Sequence, residues 1–542
     1  MLASSPNIRD AGEKLKVLLD EAADNSTFGM WNTTITSFSI ALTDSSSTLW
    51  SYQHTASGTV NGTKNVTADS QYRIASITKT FTDLALLRAG LDLTDPVTKY
   101  LPELEDPDSP IQYKDITLGM LGSHLSGMPP NYGFPEDILV APYLEQAGFP
   151  HLKDSEYPPC GVIGLNGGCT QQQLFDGLKK VQPVAAPNSR PIYGASIPFA
   201  LLGYVLQNVT GKSYAEVLDQ EIFQPLGLEN TGLKAKSNET GVIPPVENNL
   251  WFSDLGDNNP SGGIFSTSND LAVLLRAILD RSILPASRIQ SWLKPSSMTP
   301  SLNAYVGFPW EIVRASLLPD YPEKITDIYA KDGGVPGYYS RFALIDEYGI
   351  GFNVLVAGDT LALNQIVEAL LATFIPVIEK TTREEANTTY SGLYTNDTSP
   401  GANLTLSIDD GPGLKIDGLY RNGSEILSTL QTVRSQSLGF PATDTPPDSR
   451  LLATGMTHTE GDEEKEEWRL MLTITDGEAP KSSSGLPSRG VYDVDKTCLA
   501  WQLADNLYYG GLSLERFVIV KKGGKVVRVE MPALRTAVEK AE

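Results

Sequence analysis

Residues 76–90 have the sequence Ser-Ile-Thr-Lys-Thr-Phe-Thr-Asp-Leu-Ala-Leu-Leu-Arg-Ala-Gly. The apolar residues recur at helical spacing, and Gly90 stands where a helix would end. A step of three residues along a helix puts Lys79 one turn above Ser76 on the same face. The stretch therefore predicts a helix that begins at Ser76 and holds a serine hydroxyl beside a lysine amine.

In such a pair the serine hydroxyl can act as a nucleophile and the neighbouring lysine amine as the base that removes its proton. The backbone N–H groups at a helix N-terminus favour negative charge on the serine oxygen, and burial shifts a lysine toward its neutral form. The spacing alone does not identify a site, because Ser291 and Lys294 repeat it directly before Pro295, as at an ordinary helix end. The sequence around each Ser-x-x-Lys copy has to show which of the two is a catalytic site.

The histidines argue against the common alternatives. His54, His124, His151 and His458 lie far apart, and neither His-x-x-x-His nor Cys-x-x-Cys occurs, so we predict no metal site and no cofactor. A Gly-x-Ser-x-Gly turn is also absent from the sequence, which argues against a Ser-His-Asp triad. Lysine remains the candidate base.

The composition sets the class of protein. The 542 residues exceed the usual size of one hydrophobic core, and 41% hydrophobic with 20% charged residues excludes disordered and fibrous classes. A formal net charge of −23 repels polyanions, so nucleic acid is not an expected partner. The longest apolar run, residues 366–378, contains Glu368 and falls short of the roughly 18 residues that a membrane span needs.

Cysteines and glycosylation motifs indicate secretion. Cys160 and Cys169 flank a flexible loop that can close a disulfide, which would leave Cys498 free. Asn-x-Ser/Thr motifs begin at Asn25, Asn32, Asn61, Asn65, Asn208, Asn238, Asn387, Asn396, Asn403 and Asn422. Residues 1–5 have no signal-peptide character. We expect a secreted glycoprotein; the alternative is a cytosolic enzyme with unused motifs and two thiols.

The chain is organised as two domains. Residues 36–42 and 48–54 alternate as a hairpin would, the region of about 110–290 is mostly helical, and strands at 338–345 and 350–356 precede a helix at 364–379. Short alternating strands separated by turn residues follow, with a hairpin turn at 522–525. We predict an α/β domain over 1–384 and an all-β domain over 385–542, with the acidic run 460–467 as a solvated loop.

Beyond the Ser-Lys pair, longer stretches of sequence resemble the serine β-lactamase and penicillin-binding-protein family, above all its class C and esterase branch. The resemblance is strongest at residues 72–82, 90–97 and 100–102, and it covers roughly residues 35–380. The further matches, in family order, are residues 116–118, 124–129, 223–228, 262–267 and 307–311. The resemblance implies an antiparallel sheet flanked by helices, with a mostly helical subdomain, and Ser76 as the nucleophile. The all-β region resembles, more loosely, an extension found in some members.

The family's tyrosine motif is similar to Tyr193-Gly194-Ala195. The resemblance makes Tyr193 a proton relay, and between two lysines a tyrosine can titrate well below its ordinary pKa near 10. Ala195 stands where the family has asparagine, and Ser196 is the candidate to replace it in binding substrate. The departure weakens the case for efficient β-lactam hydrolysis.

The family's Lys-Thr-Gly motif is similar to Lys331-Asp332-Gly333-Gly334. Lys331 would supply positive charge, Gly333 would let the substrate approach the strand, and the N–H groups of Ser76 and Gly334 would form an oxyanion hole. Asp332 stands where the family often has a hydroxyl, and its carboxylate would repel a substrate carboxylate. Weak penicillin binding is therefore expected.

These residues predict a serine hydrolase that forms an acyl-enzyme with an ester or amide of a small or medium-sized metabolite. Acyl transfer to another acceptor uses the same intermediate. Two further alternatives remain open: a cyclase or isomerase of natural-product biosynthesis that uses Tyr193 and Lys79 without acylation, and a catalytically silent binding protein.

Overall fold

The computed structural model describes residues 2–133, 136–162, 164–322, 324–396, 401–438, 448–473 and 504–541. It divides into two units, Met1–Glu379 and Lys380–Glu542. The first unit contains strands β1 (Ser37–Asp44), β2 (Thr48–His54), β3 (Tyr72–Arg73), β4 (Phe265–Ser266), β5 (Ser297–Met298), β6 (Ala304–Val306), β7 (Glu311–Ser316), β8 (Ile325–Val335), β9 (Tyr338–Ile345) and β10 (Ile350–Ala357).

The helices of the first unit surround its sheet. They are α1 (Pro6–Asp24), α2 (Ser26–Gly29), α3 (Thr78–Arg88), α4 (Leu118–Gly122), α5 (Ala141–Gln146), α6 (Gln171–Leu178), α7 (Ile197–Thr210), α8 (Tyr214–Leu218), α9 (Gln224–Leu226), α10 (Asn259–Gly262), α11 (Ser268–Leu279) and α12 (Ala286–Trp292), and α13 (Leu361–Tyr390) begins in this unit.

The main sheet is antiparallel and has the order β2-β1-β10-β9-β8-β7-β6-β5. The predicted hairpin is present, with Phe38 opposite His54. Every residue of β10 is buried, as expected of a strand with both faces covered. The fold class predicted from the sequence, an antiparallel sheet flanked by helices with a mostly helical region, is confirmed.

Two hydrophobic cores cover the two faces of the sheet. On one face α1 and α13 pack against residues such as Phe352 and Val354, and on the other Leu355 and Phe342 pack against the helical region. Helix α1 was not predicted. It lies close to its neighbour because Gly12 leaves room for the Trp50 ring, which a Cβ at that position would overlap.

Helix α13 is long and apolar enough to cross a membrane by length and composition alone. Its apolar residues Ile366, Leu370, Phe374 and Ile378 are fully or almost fully buried in the core beside the sheet. The helix therefore packs as a core element, longer than the predicted span of 364–379.

The structure contains the predicted Cys160–Cys169 disulfide. Of the ten predicted glycosylation asparagines, eight are exposed, and Asn396 and Asn403 are half-buried. The Nδ2 atom of Asn396 donates a hydrogen bond to the carbonyl of Ala537, 2.7 Å away. Cys498 lies outside the described residues. Secretion and glycosylation stay predictions.

In the second unit an antiparallel sheet closes on itself. Its strands are β11 (Gly392–Asn396), β12 (Ala402–Ser407), β13 (Leu414–Arg421), β14 (Ser424–Glu425), β15 (Asp448–Glu460), β16 (Glu463–Thr473), β17 (Tyr508–Tyr509), β18 (Leu512–Ser513), β19 (Arg516–Lys522), β20 (Lys525–Met531) and β21 (Thr536–Lys540), with β17 and β18 forming a separate pair. Pairing of β12 with β13 closes the order β12-β11-β21-β20-β19-β16-β15-β13 into a barrel.

This unit also holds one helix that the sequence analysis did not predict, α14 (Ile426–Leu438). The Glu425 carboxylate accepts hydrogen bonds from the backbone N–H groups of Leu427 and Ser428, which satisfies two donors at the helix start. Leu427 and Leu430, three residues apart, are buried against the sheet. The described part of the region is thus β-rich, with α14 packed against its sheet.

The sequence predicted a solvated loop at 460–467, but these acidic residues form a hairpin. Only Gly461 and Asp462 form the turn between β15 and β16. On β16, Glu463 pairs with Arg528 at 2.5 Å and Glu466 with Lys521 at 2.5 Å. Because basic side chains on β19 and β20 meet these carboxylates, a charged sequence is able to form an internal strand.

The sheet core gives a stability prediction. Phe352→Ala removes a fully buried ring from the centre of the sheet, so we expect the free energy of unfolding of the first unit to fall by about 3–5 kcal/mol. Urea denaturation followed by tryptophan fluorescence measures the change. Val17→Ala, at a side chain that is 64% exposed, should change it by less than about 0.5 kcal/mol. A loss below about 1 kcal/mol for Phe352→Ala would contradict the described core.

Candidate active site

Ser76 lies at the start of the most deeply buried helix of the first unit. It is the middle residue of a 3-10 turn, Ala75–Ile77, that runs directly into α3. Ala75 and Ile77 are fully buried, whereas Ser76 is partly exposed. The apolar neighbours thus anchor the turn and leave the hydroxyl accessible. The sequence predicted a helix that begins at Ser76; the α-helix begins two residues later, at Thr78, and continues the turn that contains Ser76.

Lys79 faces Ser76 as the spacing predicted. Its Nζ donates to the Ser76 Oγ at 2.9 Å and to the Ser261 carbonyl at 2.9 Å, and it lies 5.2 Å from the centre of the Phe199 ring. The side chain is 1% exposed. Burial, followed by the positive charge of Lys331, lowers the pKa of Lys79 to about 7. Near neutral pH this amine therefore has an appreciable unprotonated fraction.

Lys331 lies close enough to affect that amine, and it has a partner of its own. Its Nζ donates to the Glu311 Oε1 at 2.5 Å and to the Asp332 carbonyl at 2.8 Å. The second Glu311 oxygen accepts the backbone N–H of Asp332 at 3.1 Å. The Lys331 side chain is 3% exposed and the Glu311 side chain 27%, so the lysine of this ion pair is buried and the carboxylate is partly exposed. A substrate would meet a lysine whose charge is largely balanced.

The prediction that Asp332 contacts the substrate is wrong. Successive side chains of a strand point to opposite faces, and Asp332 lies directly across from Arg341 on β9. The Arg341 guanidinium donates to both carboxylate oxygens, at 2.6 and 2.5 Å. Arg341 also interacts with Glu368 of α13, on the face of the sheet away from Ser76. Asp332 is a paired structural residue.

Gly333 and Gly334 bring the strand against the nucleophile. A Cβ on Gly333 would overlap the Ile74 carbonyl and the Ser340 hydroxyl and would lie 3.1 Å from the Ser76 nitrogen. Gly334 lines the same cavity as Ser76. The structure therefore brings together the two residues whose N–H groups were predicted to form an oxyanion hole, and Gly333 acts by allowing their approach.

Tyr193 is the predicted residue that fits least well. Its side chain is 46% exposed, its ring centre is 6.1 Å from that of His124, and no hydrogen bond among the described residues joins it to Ser76 or Lys79. Burial and the Glu311 carboxylate raise the pKa of Tyr193, the reverse of the predicted lowering. Both effects disfavour the phenolate: burial removes its solvation, and the carboxylate repels its negative charge. The phenol is therefore protonated at neutral pH.

The residues after Tyr193 form part of the cavity wall. Ala195 is buried, so a methyl group occupies the place where the family has an amide. Ser196 precedes α7 and lines the cavity, and its backbone N–H donates to the Pro130 carbonyl at 2.7 Å. Ser196 thus lies where the sequence analysis predicted substrate contact.

Three further residues bear on the site and were missed. Ser261 supplies the carbonyl that holds Lys79, and Glu311 holds Lys331, although residues 307–311 were noted only as a family match. Asp83, one turn after Lys79, is fully buried without a hydrogen-bond partner among the described residues, and burial raises its pKa well above the ordinary value. A buried acid one turn beyond the lysine was the available sequence signal for Asp83.

Ser76 opens into a cavity of about 630 Å³. Its walls include Tyr132, the disulfide-bonded Cys169, Leu250 and Pro336. This volume suits a small or medium-sized ligand. Within the part of the chain that the structure describes, no group of three or more His, Cys, Asp or Glu side chains is arranged to hold a metal ion.

Comparisons with known proteins agree with this architecture. The Beta-lactamase family profile matches residues 29–372, and the profile described as Beta-lactamase-like-like, C-terminal domain, matches residues 382–542. A protein named Beta-lactamase-like protein, from Arthroderma benhamiae, is 39% identical over 561 residues, covering 99% of this chain and 93% of that protein. Probable hydrolase M10 from a Phoma species is 26% identical, covering 97% and 87%.

A solved structure of a β-lactamase/D-alanine carboxypeptidase from Yersinia pestis has a TM-score of 0.50 and 22% identity, and it covers 68% of this chain and 98% of that protein. A class C β-lactamase has a TM-score of 0.51 and 17% identity, with coverage of 68% and 97%. At these identities the likeness extends to the fold alone.

The close approach of the strand to Ser76 gives a second prediction. In Gly333→Ala the added methyl pushes the strand away from Ile74 and Ser76, so we expect labelling of the protein by a fluorophosphonate to slow by at least about tenfold, measured by intact mass over time. Gly168→Ala, also on the cavity wall but with open space around its Cβ, should react within about twofold of wild type. Equal labelling rates for wild type and both variants would show that the close packing of the strand against Ser76 does not affect the reactivity of the serine.

Proposed function

Because the chain belongs to the Beta-lactamase family and is a serine hydrolase, we propose that it acts through an acyl-enzyme on an ester or amide of a small or medium-sized metabolite. The observation that carries the proposal is the 2.9 Å hydrogen bond from Lys79 Nζ to Ser76 Oγ, made by an amine whose pKa is lowered to about 7. A neutral amine at this distance can remove the hydroxyl proton as the oxygen attacks.

The acylation step uses the residues around this pair. Ser76 Oγ bonds to the substrate carbonyl carbon while its proton passes to Lys79. The N–H groups of Ser76 and Gly334 stabilise the oxyanion, and the bond to the alcohol or amine leaving group then breaks. The Lys79 ammonium supplies the proton that the leaving group needs. The Tyr193 hydroxyl, whose raised pKa keeps it protonated before the reaction, is suited to relay it by giving one proton to the leaving group and taking one back from Lys79. Water then releases the acid and restores Ser76.

Two features support substrates other than β-lactams. Ala195 has no amide to hold an acylamino side chain, and the Lys331 ammonium, which would attract a substrate carboxylate, is balanced by Glu311. The pairing of Lys331 with Glu311 takes the place of the repulsion by Asp332 that the sequence analysis predicted, because Asp332 is paired with Arg341. Penicillins carry such a carboxylate, so this site is poorly matched to them.

The acyl-enzyme gives a direct test. We expect a fluorophosphonate to add to Ser76 with one-to-one stoichiometry and p-nitrophenyl acyl esters to be hydrolysed, with both lost in Ser76→Ala; intact mass and peptide mapping locate the adduct. Ser291→Ala, at the other copy of the spacing, should keep full labelling. No adduct on folded wild-type protein would refute the proposal. A micromolar dissociation constant for benzylpenicillin would refute the proposal that the site binds β-lactams poorly.

The base gives a prediction on pH. Since Lys79 must be unprotonated to act, the rate of acylation by an uncharged ester should rise with pH and reach half its maximum near pH 7. Lys331→Met removes a positive charge that lowers the pKa of Lys79, so the midpoint should move to higher pH. Single-turnover kinetics across pH measure both. Lys99→Met, at an exposed lysine, should leave the midpoint in place, and a flat profile from pH 5 to 9 would exclude Lys79 as the base.

A further inference from the structure

The charges that line the cavity are all of one sign. Among the described lining residues are two aspartates, Asp254 and Asp257, and no lysine, arginine or histidine. The nearest site lysines do not supply the missing charge, because Lys331 is paired with Glu311 and Lys79 has a pKa lowered to about 7. A ligand that reaches Ser76 therefore enters a cavity with a negative potential.

The two aspartates belong to the segment that packs against the nucleophile. The guanidinium of Arg73 donates to the carbonyl of Ser253, and Lys79 donates to that of Ser261. Between these contacts, the Leu255 side chain and the backbone of Ala75 both lie close to Gly262. The segment is thus attached to both sides of the Ser76 turn, and its two aspartates line the cavity into which Ser76 opens.

Asp254 is exposed and held in its ionised form. Its Oδ1 accepts the backbone N–H of Gly256 and the Asn259 amide, each at 3.0 Å, and these hydrogen bonds lower its pKa. Arg73 also interacts with Asp254 and balances part of its charge, but the guanidinium is buried and already bonded to the Ser253 carbonyl. The carboxylate itself faces solvent.

Asp257 is the less satisfied of the two. Its Oδ1 accepts the Tyr204 hydroxyl at 2.5 Å, whereas its Oδ2 is buried without a partner among the described residues, and burial raises its pKa. A carboxylate in this position costs free energy that a positive charge in the adjoining cavity would offset. Asp254 can contact such a charge directly. Asp257, which is less exposed, attracts it through its negative charge at a longer distance.

We propose that the substrate carries a cationic amino group, which Asp254 and Asp257 attract into the cavity beside Ser76. This inference rests on the proposed function and specifies its substrate class: an ester or amide whose acyl part bears an ammonium. Electrostatic complementarity of this kind discriminates between substrates of equal shape by their charge.

Three esters of similar shape test the proposal with the full chain. They are the p-nitrophenyl esters of 4-(trimethylammonio)butanoate, of 5,5-dimethylhexanoate, its uncharged isostere, and of adipate, which carries a carboxylate. We expect kcat/KM to be at least about tenfold higher for the cationic ester than for its isostere, a difference of about 1.4 kcal/mol, and lowest for the anionic ester.

Substitutions then assign the preference to the two aspartates. Asp254→Asn and Asp257→Asn should each reduce the ratio of cationic to uncharged kcat/KM by about threefold to tenfold, because the loss falls mainly on the cationic ester. Asp320→Asn, at an exposed carboxylate outside the cavity lining, should leave the ratio unchanged.

The outcomes separate this inference from the function on which it rests. Equal kcat/KM for the cationic and uncharged esters in wild type, or a ratio that neither substitution changes, overturns the inference and leaves the acyl-enzyme standing. If none of the three esters acylates Ser76 and the fluorophosphonate does not phosphonylate it, the proposed function is refuted and the inference with it.

Discussion

The site depends on keeping the Lys79 amine out of water. A protonated ammonium is costly to bury, so burial lowers the pKa of Lys79 to about 7. Two oxygen atoms, on Ser76 and Ser261, accept hydrogen bonds from its nitrogen. The first turns of α3 are enclosed as well: Thr78, Thr80 and Thr82 are buried although they are polar. An amphipathic helix with one wet face would leave the lysine charged.

The same low-dielectric setting makes distant charges matter. Lys331 lowers the pKa of Lys79 and Glu311 raises it, while burial lowers the pKa of the adjacent His124 to about 3, so that this imidazole stays neutral. Glu311 and Lys331 lie on neighbouring strands, whereas Lys79 lies on a helix packed against the sheet. Beyond burial, the pKa of the base is therefore set by charges on the sheet together with Asp83 of its own helix.

Local patterns were readable from the sequence, and pairings across the chain were not. The hairpin at Phe38 and the one-turn step from Ser76 to Lys79 depend on neighbours in sequence, and both were correct in kind. Asp332 was misassigned because a motif rich in glycine does not show which face of a strand each side chain occupies. The pKa of Tyr193 was misjudged because it depends on burial and on Glu311, which lies 118 residues away in the chain. Acidic residues 460–467 resembled a loop until their basic partners were located.

Closure of the second unit's sheet has a consequence for the behaviour of the protein in concentrated solution. An open sheet ends in strands whose unpaired N–H and C=O groups can recruit a strand from another molecule, which is a route to aggregation. Here the pairing of β12 with β13 gives each of the eight described barrel strands a neighbour on both sides. Within the described part of the unit, no barrel strand is left with a wholly unpaired side, which restricts strand addition to short segments such as residues 457–460 of β15, paired with β16 alone.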